Sequence, residues 1–236
     1  MEKARVLPGV VGVCTCKEAH DWKCGLPNHR RAQDQHLRFV GDSVALVATE
    51  TIGLADEALD LIEKEYEELP FAPDCEEAFN PGASPLYSEY PGNAIPKVTP
   101  FSGEPFNRIF MGNPQEGFGE SKCVASSYMK YESMAHPLPA ESPRRIAQRT
   151  SPHAVTVWYN GGAPHLQKFN TEVSIPGVAV RVIACQTGGS SQLIPHMILR
   201  NVLMSMMTGR RMKFIMDHTE FRFPANCAGA AASAAP

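Results

Sequence analysis

Residues 34–70 read DQHLRFVGDSVALVATETIGLADEALDLIEKEYEELP, and this stretch decides the fold. Gly41-Asp42 punctuates its start, and Val44, Leu46 and Ala48 then alternate with smaller or mixed positions, which predicts a strand. Ala55, Ala58, Leu59, Ile62 and Tyr66 follow at helical spacing with acidic residues between them. That pattern predicts a helix with Ala55, Leu59 and Ile62 facing a core and Asp56, Asp60 and Glu63 facing water. Pro70 stops further helix. By periodicity alone the stretch is a β–α unit.

Working outward, the segment before it holds Leu7-Pro-Gly-Val-Val-Gly-Val13, a strand-like run. After it, residues 80–106 carry Pro81, Pro85, Pro91, Pro96, Pro100 and Pro105, the composition of an extended linker. Beyond the linker, Val124–Tyr131 and Ala154–Tyr159 read as strands. Val178–Ala184 is β-branched and nearly continuous, so it is expected to be buried on both faces. Ile194–Thr208 reads as a helix and Met212–Met216 as a returning strand. Residues 224–236, PANCAGAAASAAP, carry no pattern and are expected to form a disordered tail.

A chain of 236 residues has room for one large or two small domains. A net charge of -3 gives no electrostatic case for binding nucleic acid or an anionic membrane. Seven cysteines leave an odd one over, so a disulfide framework is not expected and a cytoplasmic setting is. Cys14-Thr-Cys16 lies in an apparent strand, where its two side chains point to opposite faces, so buried or idle thiols are expected rather than a metal pair. The eight histidines include no H-x-x-x-H spacing, and no P-loop or G-x-G-x-x-G occurs. Metal ligands and catalytic residues are therefore both expected to be absent.

The wording of residues 34–70 resembles the small α/β domain of the molybdenum-binding subunit in the xanthine dehydrogenase and aldehyde oxidase family. Further phrases follow in that family's order: Asp74-Cys-Glu-Glu-Ala78, Gly112-Asn-Pro-Gln-Glu-Gly-Phe118, Val155-Thr-Val-Trp158, Ala163-Pro-His165, Val180-Arg-Val-Ile183, Thr187-Gly-Gly189 and Thr208-Gly-Arg210. The resemblance covers roughly residues 7–223. It implies an α+β chain: a hammerhead-like module over residues 1–79, incomplete at its start, the linker over 80–106, and the first part of a mixed α/β molybdopterin-binding domain over 107–223. It also implies an oxidoreductase acting on an aldehyde or N-heterocycle. Molybdopterin would be its cofactor, and iron–sulfur and FAD groups would sit on partner chains of an oligomeric complex. Family subunits are several times longer, so the chain is expected to be a fragment or a shortened relative.

Three stretches correspond to stations of the family's site. At the first, the turn after Val155–Trp158, the family places a glutamine that hydrogen-bonds a molybdenum ligand. Here Gly162 takes that position, beside Gly161 and two residues from Asn160. Taken without the family, Asn160-Gly161 is a plain turn. At the second, the family's glycine-rich loop keeps Gly188 and Gly189, with Ser190 next to them as a hydrogen-bond donor to an anionic ligand. Such a loop is also a common αβ connection. At the third, purine-hydroxylating members place a glutamate that orients the heterocycle. Glu141 stands one residue late for this, in a proline-rich turn where a solvated carboxylate is the simpler reading.

The family's catalytic base has no counterpart in these residues. Two functions remain open: part of a molybdenum hydroxylase large subunit, inactive alone, or a non-catalytic, cofactor-free relative serving as a structural or assembly partner. Self-association or partner binding through residues 178–223 is expected in either case.

Overall fold

The structure is a computed structural model. It describes residues 1–19, 22–24, 30–31, 35–38, 42–72, 74–88, 90, 92–93, 111–128, 141–187, 195–216 and 231–235. The fold is mixed α/β, as the sequence implies. Two compact units form, one from Met1–Glu68 together with Ala135–Pro236, the other from Leu69–Met134. The linear reading put a boundary at residues 80–106. The structure instead gathers both ends of the chain into one unit, because one sheet runs through both.

That sheet has seven strands in the order β1-β4-β9-β8-β5-β6-β7. In chain order these are β1 (Val10–Cys14), β4 (Leu46–Thr49), β5 (Arg144–Ser151), β6 (Ala154–Asn160), β7 (Ala179–Cys185), β8 (Arg211–Ile215) and β9 (Ala231–Ala235). A separate two-stranded ribbon pairs β2 (Lys23–Cys24) with β3 (Arg30–Arg31). Strand β9 lies in the alanine-rich end expected to fray. It runs parallel to β4 and antiparallel to β8, satisfying backbone groups that both strands would otherwise leave open.

The opening stretch folds as strand β4 followed by helix α2 (Ile52–Asp60). The Thr51 hydroxyl caps the helix by accepting from the Leu54 N–H at 3.3 Å. Ala55, Ala58 and Ile62 are buried and Leu59 half-buried, while Asp56, Asp60 and Glu63 are exposed, so the stripe stands. Tyr66 is a correction: the helix has ended by then and the ring is 61% exposed. Asp60 and Glu63 crowd carboxylates at the helix C-terminus, where the macrodipole disfavours negative charge. The short helix α1 (Glu2–Arg5) buries Ala4 against the same small core.

Helix α6 (Pro195–Thr208) supplies the main core. Met197, Ile198, Leu199, Val202, Leu203 and Met204 are all buried, against Ala147, Val157, Met212 and Phe214 of the sheet. A helix buried on nearly every side must also bury polar groups with partners. Accordingly, Arg200 places Nη2 3.9 Å from Asp42 Oδ1, with both side chains almost wholly buried. Asp42 Oδ1 also accepts from the Ser43 N–H. The same helix reaches β1: a Cβ added at Gly12 would lie 2.9 Å from Thr208 Cγ2, so only glycine fits that crossing.

Two strand expectations need correction. Residues 124–128 form no strand, and Val124 and Tyr128 are exposed. Strand β7 is not buried on both faces: among the described residues it is an edge strand paired only with β6, and Ala179, Arg181, Ala184 and Cys185 are exposed. In the second unit, helix α3 (Cys75–Phe79) is capped by Asp74, whose Oδ1 accepts from the Glu76 and Glu77 amides at 2.9 Å each. Helix α4 (Pro114–Glu120) follows an Asn113 cap and buries no residue.

Cys14 closes β1 rather than sharing a strand with Cys16. Burial, and next to it the Glu18 carboxylate, pushes the Cys14 thiol up to about 12. It is a core thiol. Among the described residues no group of three or more His, Cys, Asp or Glu side chains stands close enough to hold a metal ion. No described helix is long and apolar enough to cross a membrane.

Candidate functional site at the ends of strands β6 and β7

Strands β6 and β7 run parallel, joined by helix α5 (Pro164–Ser174), so their C-terminal ends lie side by side. At this end a cleft of about 600 Å³ opens, lined among others by Glu141, Arg144, Trp158, Asn160, Cys185 and Lys213. The strand pleat explains this set. On β5, Arg144 and Ile146 face one side while Arg145 and Ala147 face the other. Pairing aligns Ile146 with Trp158 and Lys213, and Trp158 with Ile183, so one face carries Ile146, Trp158, Ile183 and Ile215 with Arg144 and Lys213 beside them. Helix α6 covers the opposite face.

Asn160 organises the rim. Its Oδ1 accepts from the Arg144 N–H at 2.6 Å, and its Nδ2 donates to the Ser142 carbonyl at 3.0 Å and to Glu141 Oε2 at 3.5 Å. The amide thus ties the start of β5 to the end of β6 and holds Glu141 at the cleft.

The turn that follows is set by Tyr159. Its hydroxyl donates to the Gly162 carbonyl at 2.5 Å. A Cβ at Gly161 would meet the Tyr159 ring at 2.7 Å, so the close approach requires glycine. Burial raises the Tyr159 phenol, and the neighbouring Arg145 cation opposes that rise. Arg145 is 2% exposed, and burial holds its guanidinium down to about 10. Ala163, left-handed at φ 53, then starts helix α5 at Pro164.

The structure therefore brings Glu141, Asn160, Gly161 and Gly162 together. Gly188, Gly189 and Ser190 lie outside the described residues. Sequence reasoning missed Arg144, Trp158 and Lys213 as cleft residues. Only strand pairing across β5, β6 and β8 collects them, and no local spacing signals it. The cleft offers the Glu141 carboxylate, the Trp158 indole and the cations of Arg144 and Lys213, with the buried Arg145 also at its wall, which suits a planar or anionic polar ligand. It does not fit the amide contact that a molybdenum cofactor would require here. Position 162 has no side chain, and the nearby Asn160 amide is spent on Arg144, Ser142 and Glu141.

Comparison with known proteins gives consistent results. Residues 1–70 match the family described as "Aldehyde oxidase and xanthine dehydrogenase, a/b hammerhead domain". The chain is 28% identical over 195 residues to one of the probable xanthine dehydrogenase subunits of Bacillus subtilis, covering 80% of this chain and 24% of that protein. It is 26% identical over 204 residues to the xanthine dehydrogenase molybdenum-binding subunit of Escherichia coli O157:H7, covering 80% of this chain and 25% of the relative. The chain thus spans about a quarter of the length of these curated relatives.

Among solved structures, the aldehyde oxidoreductase of Desulfovibrio gigas superposes with a TM-score of 0.66 at 18% identity, over 94% of this chain and 25% of that one. The Cu,Mo-CO dehydrogenase in its carbon monoxide reduced state superposes with a TM-score of 0.63 at 23% identity, over 91% of this chain and 29% of that one. At these identities the superpositions carry the fold. Residues 1–70 thus carry the match to an a/b hammerhead domain, and the chain beyond them is similar to molybdenum-binding subunits such as that of Escherichia coli.

Proposed function

We propose that this chain is a scaffold portion of a molybdenum hydroxylase large subunit, acting on an aldehyde or N-heterocycle only as part of a larger assembly, and that it performs no hydroxylation alone. The observation that carries this is the Asn160 amide, fully engaged in joining β5 to β6, beside a Gly162 that has no amide to offer. The cofactor supplies redox chemistry in such enzymes, and the protein binds and orients it. What supports the reading is the position of the cleft beside this turn, with Glu141 held at it by Asn160. Gly161 and Gly162, and Gly188, Gly189 and Ser190 beyond the described residues, are the backbone positions proposed to approach molybdopterin. Iron–sulfur and flavin subunits are the proposed redox partners. Cys14, Cys16, Cys123 and Cys185 are free, which supports a reducing, cytoplasmic setting.

The second reading is a cofactor-free relative that keeps the fold and acts as a structural or assembly partner. The spent amide favours it as well. Elemental analysis of purified chain for molybdenum separates the two. Retained molybdenum supports the scaffold role, and its absence, with partner subunits present, supports the cofactor-free one. Oxidation of xanthine or an aldehyde by the chain alone, with an artificial electron acceptor, would overturn both.

A further inference from the structure

Strand pairing lays out the charges of the cleft-bearing face. Lys213, Ile146 and Trp158 form one row across β8, β5 and β6, and two residues along the strands Ile215 lies opposite Arg144. Adjacent strands stand about 4.8 Å apart, and residues two positions out of register across them about 7–8 Å apart, within reach of long side chains. Arg144 is therefore the diagonal neighbour of Lys213 on one side and of Trp158 on the other. Both cations are exposed, and neither makes an ion pair among the described residues. Arg181 and Arg211 stand farther along the same face, one pleat repeat from Ile183 and Lys213, also exposed and also without an ion pair among the described residues. No residue of β5, β6, β7 or β8 on this face is acidic. In a chain of net charge -3, that arrangement concentrates positive potential over one surface. The floor between the cations is apolar, with Ile146, Trp158 and Ile215 half-buried.

We propose that this cleft binds an aromatic monocarboxylate, its ring against Trp158 and Ile146 and its acid group between Arg144 and Lys213. The guanidinium of Arg144 is a planar fork that takes a carboxylate by two hydrogen bonds, and the ammonium of Lys213 adds a compact charge from the other side. An inorganic anion would leave the apolar floor unused, and a neutral ring would leave both cations unmatched. Glu141, held at the same cleft by Asn160, disfavours a second acid group on the ligand. The cavity of about 600 Å³ lies within the range of small-molecule sites. The floor and both cations belong to β5, β6 and β8, three strands paired side by side, so no other chain is needed to assemble them. Binding of this kind is independent of whether the chain carries molybdopterin.

The test is calorimetric titration of the intact chain with 2-naphthoate as the probe. It should bind saturably at one site. The neutral 2-naphthamide and inorganic phosphate, which each keep half of the recognition, should bind at least about tenfold more weakly. Arg144→Gln and Lys213→Gln should each weaken 2-naphthoate about tenfold, and Trp158→Leu should weaken it by a similar factor. Arg211→Gln removes the same charge from the same face but outside the cleft, and should change the affinity by less than about threefold. Arg144, Lys213 and Arg211 are exposed, so these three variants should keep the melting temperature of the parent chain. Absence of saturable binding, equal affinity for the acid and either control, or a loss at Arg211→Gln as large as that at Arg144→Gln would overturn the proposal.

Discussion

The two faces of strands β8, β5 and β6 are built from alternate residues of the same sequence, yet they have opposite fates. On one face Arg145, Ala147, Val157, Tyr159, Met212 and Phe214 are buried. On the other, Arg144 and Lys213 are exposed and Ile146, Trp158 and Ile215 only half-buried. Arg144 and Arg145 are neighbours in the chain, and pleat alone sends one to water and one into the interior beside Tyr159. Burial in a sheet is thus decided by which face the helix takes. The exposed face keeps its charges in water, and the covered face must accommodate an arginine.

Four measurements break or sharpen this contrast. The largest effect is expected at Phe214, which is 1% exposed. Phe214→Ala should cost about 3–5 kcal/mol, while Ile215→Ala, one residue on and facing the cleft, should cost less than about 1.5 kcal/mol. Equal losses in urea unfolding would erase the distinction between the faces.

Next is Gly161→Ala. Its Cβ would press on the Tyr159 ring at 2.7 Å, and the overpacking should cost about 1–3 kcal/mol. An unchanged melting temperature would show that the Tyr159 contact does not fix the turn.

Asn160→Ala removes the three bonds that join β5 to β6 and seat Glu141. A loss of about 1–2 kcal/mol is expected, with faster amide exchange at Arg144. Unchanged exchange there would mean that the amide is free for a ligand after all.

The smallest effect lies far from both faces, at Glu18. Burial would raise its carboxyl, but hydrogen bonds from the Thr15 hydroxyl and amide and from Arg5 outweigh that and bring it to about 2, from 4.5. A depressed folded value means that the stabilisation is full above 4.5 and is lost as pH falls toward 2. Solvent screening limits it to about 1 kcal/mol at most. Glu18→Gln should flatten that stretch of the acid stability curve, and an unchanged curve would count against the Thr15–Arg5 arrangement.

Much of the fold is legible because local pattern and final packing agree. The strand and helix of residues 44–62, the strand at Ala154, the helix ending at Thr208 and the strand after it all carry periodicity that survives folding. Strand β5 is different. Its sequence RRIAQRTS places Ile146 beside Ala147, so it lacks alternation, and it becomes a strand because β6 and β8 pair with it on either side. Helix α5 buries Gln167, Thr171 and Ser174 and leaves Leu166 and Phe169 39% exposed, an inversion that hides it from any hydrophobic periodicity. Val178–Ala184 misled for the converse reason: composition reports β-branching but not whether a second neighbour exists. At the site, the glycines and Glu141 were visible as positions in a phrase. The work of Asn160 was not, because its partners come from a strand that had no signal.

The crossing of α6 over β1 bears on the order in which the molecule can form. Gly12 is synthesised long before its packing partner Thr208. The buried pair of Asp42 and Arg200 spans almost as much chain. Although its own small core of Ala4, Val13, Ala45, Val47, Ala58 and Ile62 lies within the first residues made, the face of the opening module that packs on α6 therefore cannot be covered as it leaves the ribosome. Loop closure must come before any of these contacts stabilise the chain, which makes the folding rate slow and leaves the early strands exposed while the rest is translated.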